Sequence, residues 1–150
     1  MNKYKYPLST STWGNEELKA IERVTKSGKF SMGEEVQHFE HMFSKYIGSK
    51  YSLMVNSGSS ANLLMIASLF YREANKVSIN DEIIVPALGW STSYYPFSQY
   101  GLKLKFVDID KNTLNYSLTS LEKAISKKTK VILVINILGN PNNFTEINQI

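Results

Sequence analysis

The chain has 150 residues, 43% hydrophobic and 20% charged, ordinary globular proportions with enough apolar mass for one core. Its 17 Lys and Arg against 13 Asp and Glu give a formal charge of +4. The basic residues are scattered, and the densest run, Lys123 to Lys130, falls at the end of a predicted helix, where cations offset the helix dipole, so no nucleic-acid partner is expected. There is no cysteine, which removes disulfides, thiolate metal sites and a thiol nucleophile together and accords with a reducing cytoplasm. No apolar run reaches membrane-spanning length and "MNKYKYPLSTSTWGN" lacks an h-region; a cytoplasmic protein without a membrane partner is the expectation.

Asn15 precedes "EELKAIERVTKSG", with acidic residues in the first turn, Leu18, Ile21 and Val24 at helical spacing, and Gly28 as a stop. A second helix begins near Glu34 and places Val36, Phe39, Met42, Phe43 and Tyr46 on one core-facing stripe, ending before Gly48. His38 and His41 lie three apart on it, but the apolar residues beside them claim the inner face, which leaves the histidines on the flank and no metal site.

The rhythm then changes. Tyr51 to Val55 reads as a strand, Ser59 to Tyr71 as a helix, and Glu82 to Pro86 as a strand, with the polar "EANKVSIN" between the last two as a surface loop. Thr92 to Tyr100 reads as a helix with Pro96 near its start or kinking it. Leu102 to Val107 follows as a strand, Ser117 caps a helix over Leu118 to Ser126, and Lys130 to Ile135 is an apolar strand of the kind buried on both faces. Such alternation implies right-handed crossovers: an α/β fold, mostly parallel sheet with covering helices. Residues 1–50 form a helical region and 51–150 a partial α/β domain; the helix opening at Phe144 stops without a following strand, so the chain reads as truncated.

Ligands of open α/β sheets sit beyond the carboxyl ends of the strands, where helix N-termini point free N–H groups outward. "NSGSSANLL" (residues 56–64) lies at such a place. It admits two readings: a turn with Ser59 capping a helix, or a cradle in which Gly58, Ser59 and Ser60 give N–H and hydroxyl donors to a phosphate. It matches neither the P-loop nor GxGxxG. In "VPALGWSTSYY", Trp90 either stacks on a planar phosphorylated cofactor or packs, like Tyr94 and Tyr95, into the next helix. Asp108 and Asp110 in "VDIDKNTLN" end a strand and start a turn, and Asn136 in "VINILGNPNN" is a ligand contact or a strand terminator.

Taken in order, "SGKFSMGEEVQHFEHMFSKYIGSKYSLMVNSGSSANLL", "DEIIVPALGWSTS", "GLKLKFVDID…TLN" and "TKVILVINILGNPNN" resemble the N-terminal part of the DegT/StrS-type nucleotide-sugar aminotransferases, fold-type-I enzymes that use pyridoxal 5′-phosphate with pyridoxamine phosphate as intermediate. The resemblance implies a phosphate site at Gly58, Ser59 and Ser60 and a ring-stacking role for Trp90. It places Gly33 in a loop that approaches substrate or the partner subunit of a homodimer. The family commonly has histidine where this chain has Asn136. The Schiff-base lysine and the aspartate that pairs with the pyridine nitrogen are expected beyond residue 150, so no catalytic residue is assigned within the chain. The implied activity is transfer of an amino group, from glutamate, to a nucleotide-linked keto-deoxy sugar for surface polysaccharide or lipopolysaccharide. Two alternatives stand beside it: a sugar 3-dehydratase of the same family, with histidine in place of the lysine, and a non-catalytic remnant with a partial phosphate site.

Overall fold

The computed structural model describes residue 6 and residues 9–150; the rest of the N-terminal stretch read above for a targeting segment lies outside the described residues. The chain divides into two compact units, Met1–Met54 and Val55–Ile150.

In the first unit α1 (Asn15–Ser27) and α2 (Glu34–Ile47) end on Gly28 and Gly48, both left-handed with φ of 66° and 73°. The α1 cap is Gly14 rather than Asn15: its N–H donates to Glu17 Oε2 at 2.7 Å, and this bond holds the Glu17 carboxyl below its usual range. The Arg23 guanidinium grips Glu35 through two bonds of 2.8 and 3.0 Å, and Lys29 meets Glu34 at 2.8 Å. Exposed pairs of this kind contribute little to stability. Neither helix buries a residue, and the stripe expected to face a core stays open, with Phe39 51% and Tyr46 87% exposed. Two helices of 13 and 14 residues have too little mass to enclose a core of their own. His38 and His41 are exposed, and no group of three metal-ligating side chains occurs among the described residues.

The strand expected over Tyr51 to Val55 is absent. A strand needs a neighbour for its N–H and C=O groups, and here side chains take that place. Glu40 Oε1 accepts the Met54 N–H at 2.7 Å, and Ser49 Oγ donates to the Tyr51 carbonyl at 2.9 Å.

The second unit runs α3 (Gly58–Leu69), β1 (Glu82–Pro86), α4 (Ser91–Gln99), β2 (Lys103–Val107), α5 (Leu118–Ala124), β3 (Thr129–Ile132), a 3₁₀ turn (Ile137–Gly139) and α6 (Phe144–Ile147). Its three strands are parallel in the order β2-β1-β3, with Ile84 opposite Lys105 on one side and Ile132 on the other. The central strand alternates its side chains between two cores. Ile83 and Val85 join Ile66, Val77, Phe97 and Leu102 beneath α3 and α4, while Ile84 joins Val107, Tyr116 and Leu121 beneath α5. Each fully buried aliphatic or aromatic side chain contributes about 1.5–3 kcal/mol, so β1 is where the unit is most strongly held.

Two expectations change here. β3 is shorter than Lys130 to Ile135 and only half-buried, because it forms the edge of the described sheet and has β1 on one side alone. The polar connection before β1 is mostly exposed, yet its Val77 is 1% exposed and fills the first core. Among the described residues no helix is long and apolar enough to cross a membrane.

Candidate functional site

The N-terminus of α3 begins where chain geometry demands small residues. Ser57, extended at φ −161°, is the cap: its Oγ accepts the Ser60 N–H at 3.2 Å and donates to Ser60 Oγ at the same distance. The cap is therefore Ser57 and not Ser59, which leaves Ser59 free for other work. The Ala61 N–H closes the first helical bond on the Ser57 carbonyl at 3.0 Å. Of the N–H groups a helix leaves open at its start, those of Gly58 and Ser59 have no partner among the described residues. The first turn carries no acidic side chain, and nothing lies within 4 Å of where a Gly58 Cβ would stand. Two unpaired N–H donors, two hydroxyls and the positive end of a 12-residue helix dipole form a donor set suited to a phosphate dianion.

The second component is Trp90, the N-cap of α4, which is 74% exposed. Its loop leaves the carboxyl end of β1 and is shaped by a close approach. A Cβ on Gly89 would stand 2.0 Å from Tyr94 Oη and 3.1 Å from Ile135 Cδ1, so only glycine passes there without displacing the tyrosine. Tyr94 is held by a bond from its Oη to the Pro86 carbonyl at 2.8 Å and by an edge contact with Phe106, ring centroids 5.6 Å apart. Burial raises its phenol pKa above the usual value. Tyr94 thus packs as expected, whereas Tyr95 is 58% exposed.

Pro96 sits inside α4, not near its start, and this placement has a use. A residue at 96 with an N–H would donate to the Thr92 carbonyl four residues back; proline has none to give. The Thr92 carbonyl instead accepts from Asn62 Nδ2, on the first turns of α3, at 3.4 Å. That bond brings the starts of α3 and α4 to the same edge of the sheet, with the Gly58–Ser60 donors on one helix and Trp90 on the other.

Asn136 follows β3 at the same edge, since Ile135 beside it packs on the Gly89 loop. It terminates the strand by holding the next loop: its Oδ1 accepts the Asn142 N–H at 3.0 Å and Asn142 Nδ2 at 3.1 Å. The hairpin closed by the Ile109–Tyr116 bridge braces that loop, with Asn115 Nδ2 on the Pro141 carbonyl at 2.9 Å and Asn140 Nδ2 on the Thr113 carbonyl at 2.5 Å. Asp108 and Asp110 play the turn-forming part expected of them. Asp110 Oδ1 accepts the Asn112 and Thr113 N–H groups at 2.8 and 3.0 Å, bonds that lower its pKa. Gly33 belongs to the first unit, as the N-cap of α2.

Sequence reasoning missed Gly89, Asn62 and Asn142. A glycine directly before a loop tryptophan was a visible signal for the first, and the carboxamide-rich "GNPNN" after a strand for the third. Asn62 carried none, because its partner is 30 residues away.

An open parallel sheet with unpaired helix N–H groups and an exposed tryptophan beyond β1 defines an α/β protein of the class that binds ligands beyond the carboxyl ends of its strands. Residues 11–150 match the DegT/DnrJ/EryC1/StrS aminotransferase family, and the chain belongs to that family. It is 58% identical over 145 residues to the GDP-4-keto-6-deoxy-D-mannose 3-dehydratase of Escherichia coli O55:H7, which covers 97% of this chain and 37% of that protein. The fold superposes on a solved structure of the E. coli dehydratase with bound hydrated PLP at a TM-score of 0.93 and 57% identity, over 97% of this chain and 37% of the other. The dTDP-3-amino-3,6-dideoxy-alpha-D-galactopyranose transaminase of Aneurinibacillus thermoaerophilus is 34% identical over 131 residues, 87% of this chain and 34% of its own length. The chain thus spans about a third of the length of these relatives, and its fold is the N-terminal part of a fold-type-I large domain.

Proposed function

We propose that this chain is the N-terminal part of a pyridoxal-phosphate-dependent enzyme acting on a nucleotide-linked 4-keto-6-deoxy sugar, and that the reaction is 3-dehydration of a GDP-linked sugar rather than transamination. The cofactor reading is carried by the open Gly58 and Ser59 N–H groups facing the same edge as Trp90. The choice of reaction is carried by 58% identity to a dehydratase against 34% to a transaminase.

When bound, the cofactor ring supplies the electron sink that such eliminations need. In this chain Gly58 and Ser59 bind its phosphate through backbone N–H groups, and the Ser59 and Ser60 hydroxyls complete the donor set. Trp90 covers one face of the ring and excludes water from it. Asn136 lies at the edge where substrate arrives, and Gly33 contributes from the first unit, either to substrate or to the second copy of a homodimer. Glutamate is the amino-acid partner. No residue of this chain is assigned the covalent or proton-transferring role.

Ser59→Asp tests the phosphate site in the full-length protein. A carboxylate at a helix N-terminus adds about 0.3–1 kcal/mol to helix stability through the dipole, yet it repels a phosphate. Unchanged or raised thermal stability together with at least about tenfold weaker pyridoxal phosphate binding, read by equilibrium dialysis, is the expected pair of results. Equal binding by the variant would remove the phosphate from this site. Product analysis with GDP-4-keto-6-deoxymannose and glutamate separates a 3-deoxy sugar from an amino sugar.

A further inference from the structure

Asn142 is 6% exposed and points two donors at one atom. Its backbone N–H lies 3.0 Å and its Nδ2 3.1 Å from Asn136 Oδ1, and the same Nδ2 also reaches the Ile135 carbonyl at 2.8 Å. A backbone N–H only donates, so the atom of Asn136 that receives it is the carboxamide oxygen and cannot be exchanged with the nitrogen by a flip of the group. The Asn136 NH₂ is then directed away from Asn142. Asn136 is exposed, and no protein group accepts from its Nδ2 among the described residues.

We infer that Asn142 is a positioning residue that locks the Asn136 carboxamide in one orientation, so that position 136 offers a fixed hydrogen-bond donor, and no acceptor, at the carboxyl edge of the sheet. The ligand group it takes is an acceptor oxygen: a hydroxyl, carbonyl or phosphate oxygen of the cofactor or of the nucleotide sugar. This inference rests on the cofactor-site reading for the identity of the ligand, but not for the orientation of the amide.

The loop that carries Asn142 is braced through the buried side chain of Asn115. Pro141 precedes Asn142 and hands its carbonyl to Asn115 Nδ2, and Asn140 anchors on the Thr113 carbonyl, so the chain entering Asn142 is tied to the hairpin at two successive residues. A side chain held by a rigid loop loses its freedom before the ligand arrives, which lowers the cost of binding.

Two measurements on the full-length protein test the inference. The first needs no ligand: side-chain ¹⁵N relaxation of Asn136 Nδ2. It is expected to be as rigid as the backbone in the wild type and mobile in Asn142→Ala; an amide already mobile in the wild type, or equally rigid in the variant, overturns the positioning role. The second is Asn136→Asp, which keeps an oxygen for both Asn142 donors and replaces the outward NH₂ by an acceptor. Its unfolding midpoint is expected to match the wild type, while affinity falls at least about tenfold for one of two probes, pyridoxal 5′-phosphate or GDP-4-keto-6-deoxymannose. The probe that weakens names the source of the oxygen. Wild-type affinity for both probes in the variant refutes a donor role at 136. Absence of pyridoxal phosphate binding by the wild type would instead count against the cofactor-site reading, and the relaxation result would still decide the orientation.

Discussion

Substituting Gly89 by alanine places a methyl group 2.0 Å from Tyr94 Oη and 2.8 Å from its Cζ, distances no ordinary contact allows. The ring has to leave, and two interactions go with it: the bond to the Pro86 carbonyl and the edge contact with Phe106. The hydrogen bond is worth about 0.5–1.5 kcal/mol and the aromatic pair about as much, so the loss is about 2 kcal/mol. Alanine also restricts the unfolded chain, which returns roughly 0.4–1 kcal/mol and leaves a net destabilisation of about 1–2 kcal/mol. Urea unfolding of the full chain, followed by far-ultraviolet circular dichroism, measures it. The decisive comparison is the same substitution made in a Tyr94→Ala background. With the ring's Oη and Cζ gone, the flexible end of Ile135 at 3.1 Å is the next contact, and Gly89→Ala should be neutral or stabilising by up to about 1 kcal/mol. An equal cost in both backgrounds would show that the tyrosine contact is not what requires glycine there.

The caps and the buried phenol give further outcomes. Ser57→Ala removes the cap of α3 and should cost about 1 kcal/mol in urea unfolding, whereas Ser59→Ala, which caps nothing, should stay within about 0.5 kcal/mol of the wild type. Tyr116 donates from its Oη to the Leu133 carbonyl at 2.7 Å, and burial raises its pKa far above the unfolded value near 10. The folded state keeps that proton when the unfolded state has lost it, so stability is full below about pH 10 and falls as pH rises beyond it. Tyr116→Phe should lower stability at neutral pH by about 1 kcal/mol and flatten the alkaline decline; an unchanged alkaline slope would mean that another group causes it.

Most of the second unit was legible because its elements are signalled locally. Glu82–Pro86 is the strand as read, Ser117 caps α5 through a 3.4 Å bond to the Ser120 N–H, and Leu118–Ala124 falls within the range expected. What failed depended on neighbours. Tyr51 to Val55 has strand composition, but pairing requires a partner strand, and the side chains of Glu40 and Ser49 take its backbone groups instead. The α2 stripe has the spacing of a core helix, yet spacing states only that a face is apolar, not that anything covers it. The candidate site divides in the same way. "NSGSSANLL" announced a helix start with small residues; which serine caps and which stays free was a matter of backbone angles at Ser57 that no composition encodes.

By itself, the sequence determined the order and type of the elements, the position of the small-residue turn at α3, the tryptophan after β1 and the family resemblance, because each depends on residues close together in the chain. Tertiary structure alone decided what those pieces do together. It gave the Thr92 carbonyl left free by Pro96 to Asn62, 30 residues distant, and so tied the first turns of α3 to the start of α4, which Trp90 caps. It also turned Asn136 from a strand terminator with two possible faces into a carboxamide with one, through the donors of Asn142. Hydrogen bonds between distant segments have direction, and direction exists only once the chain has folded.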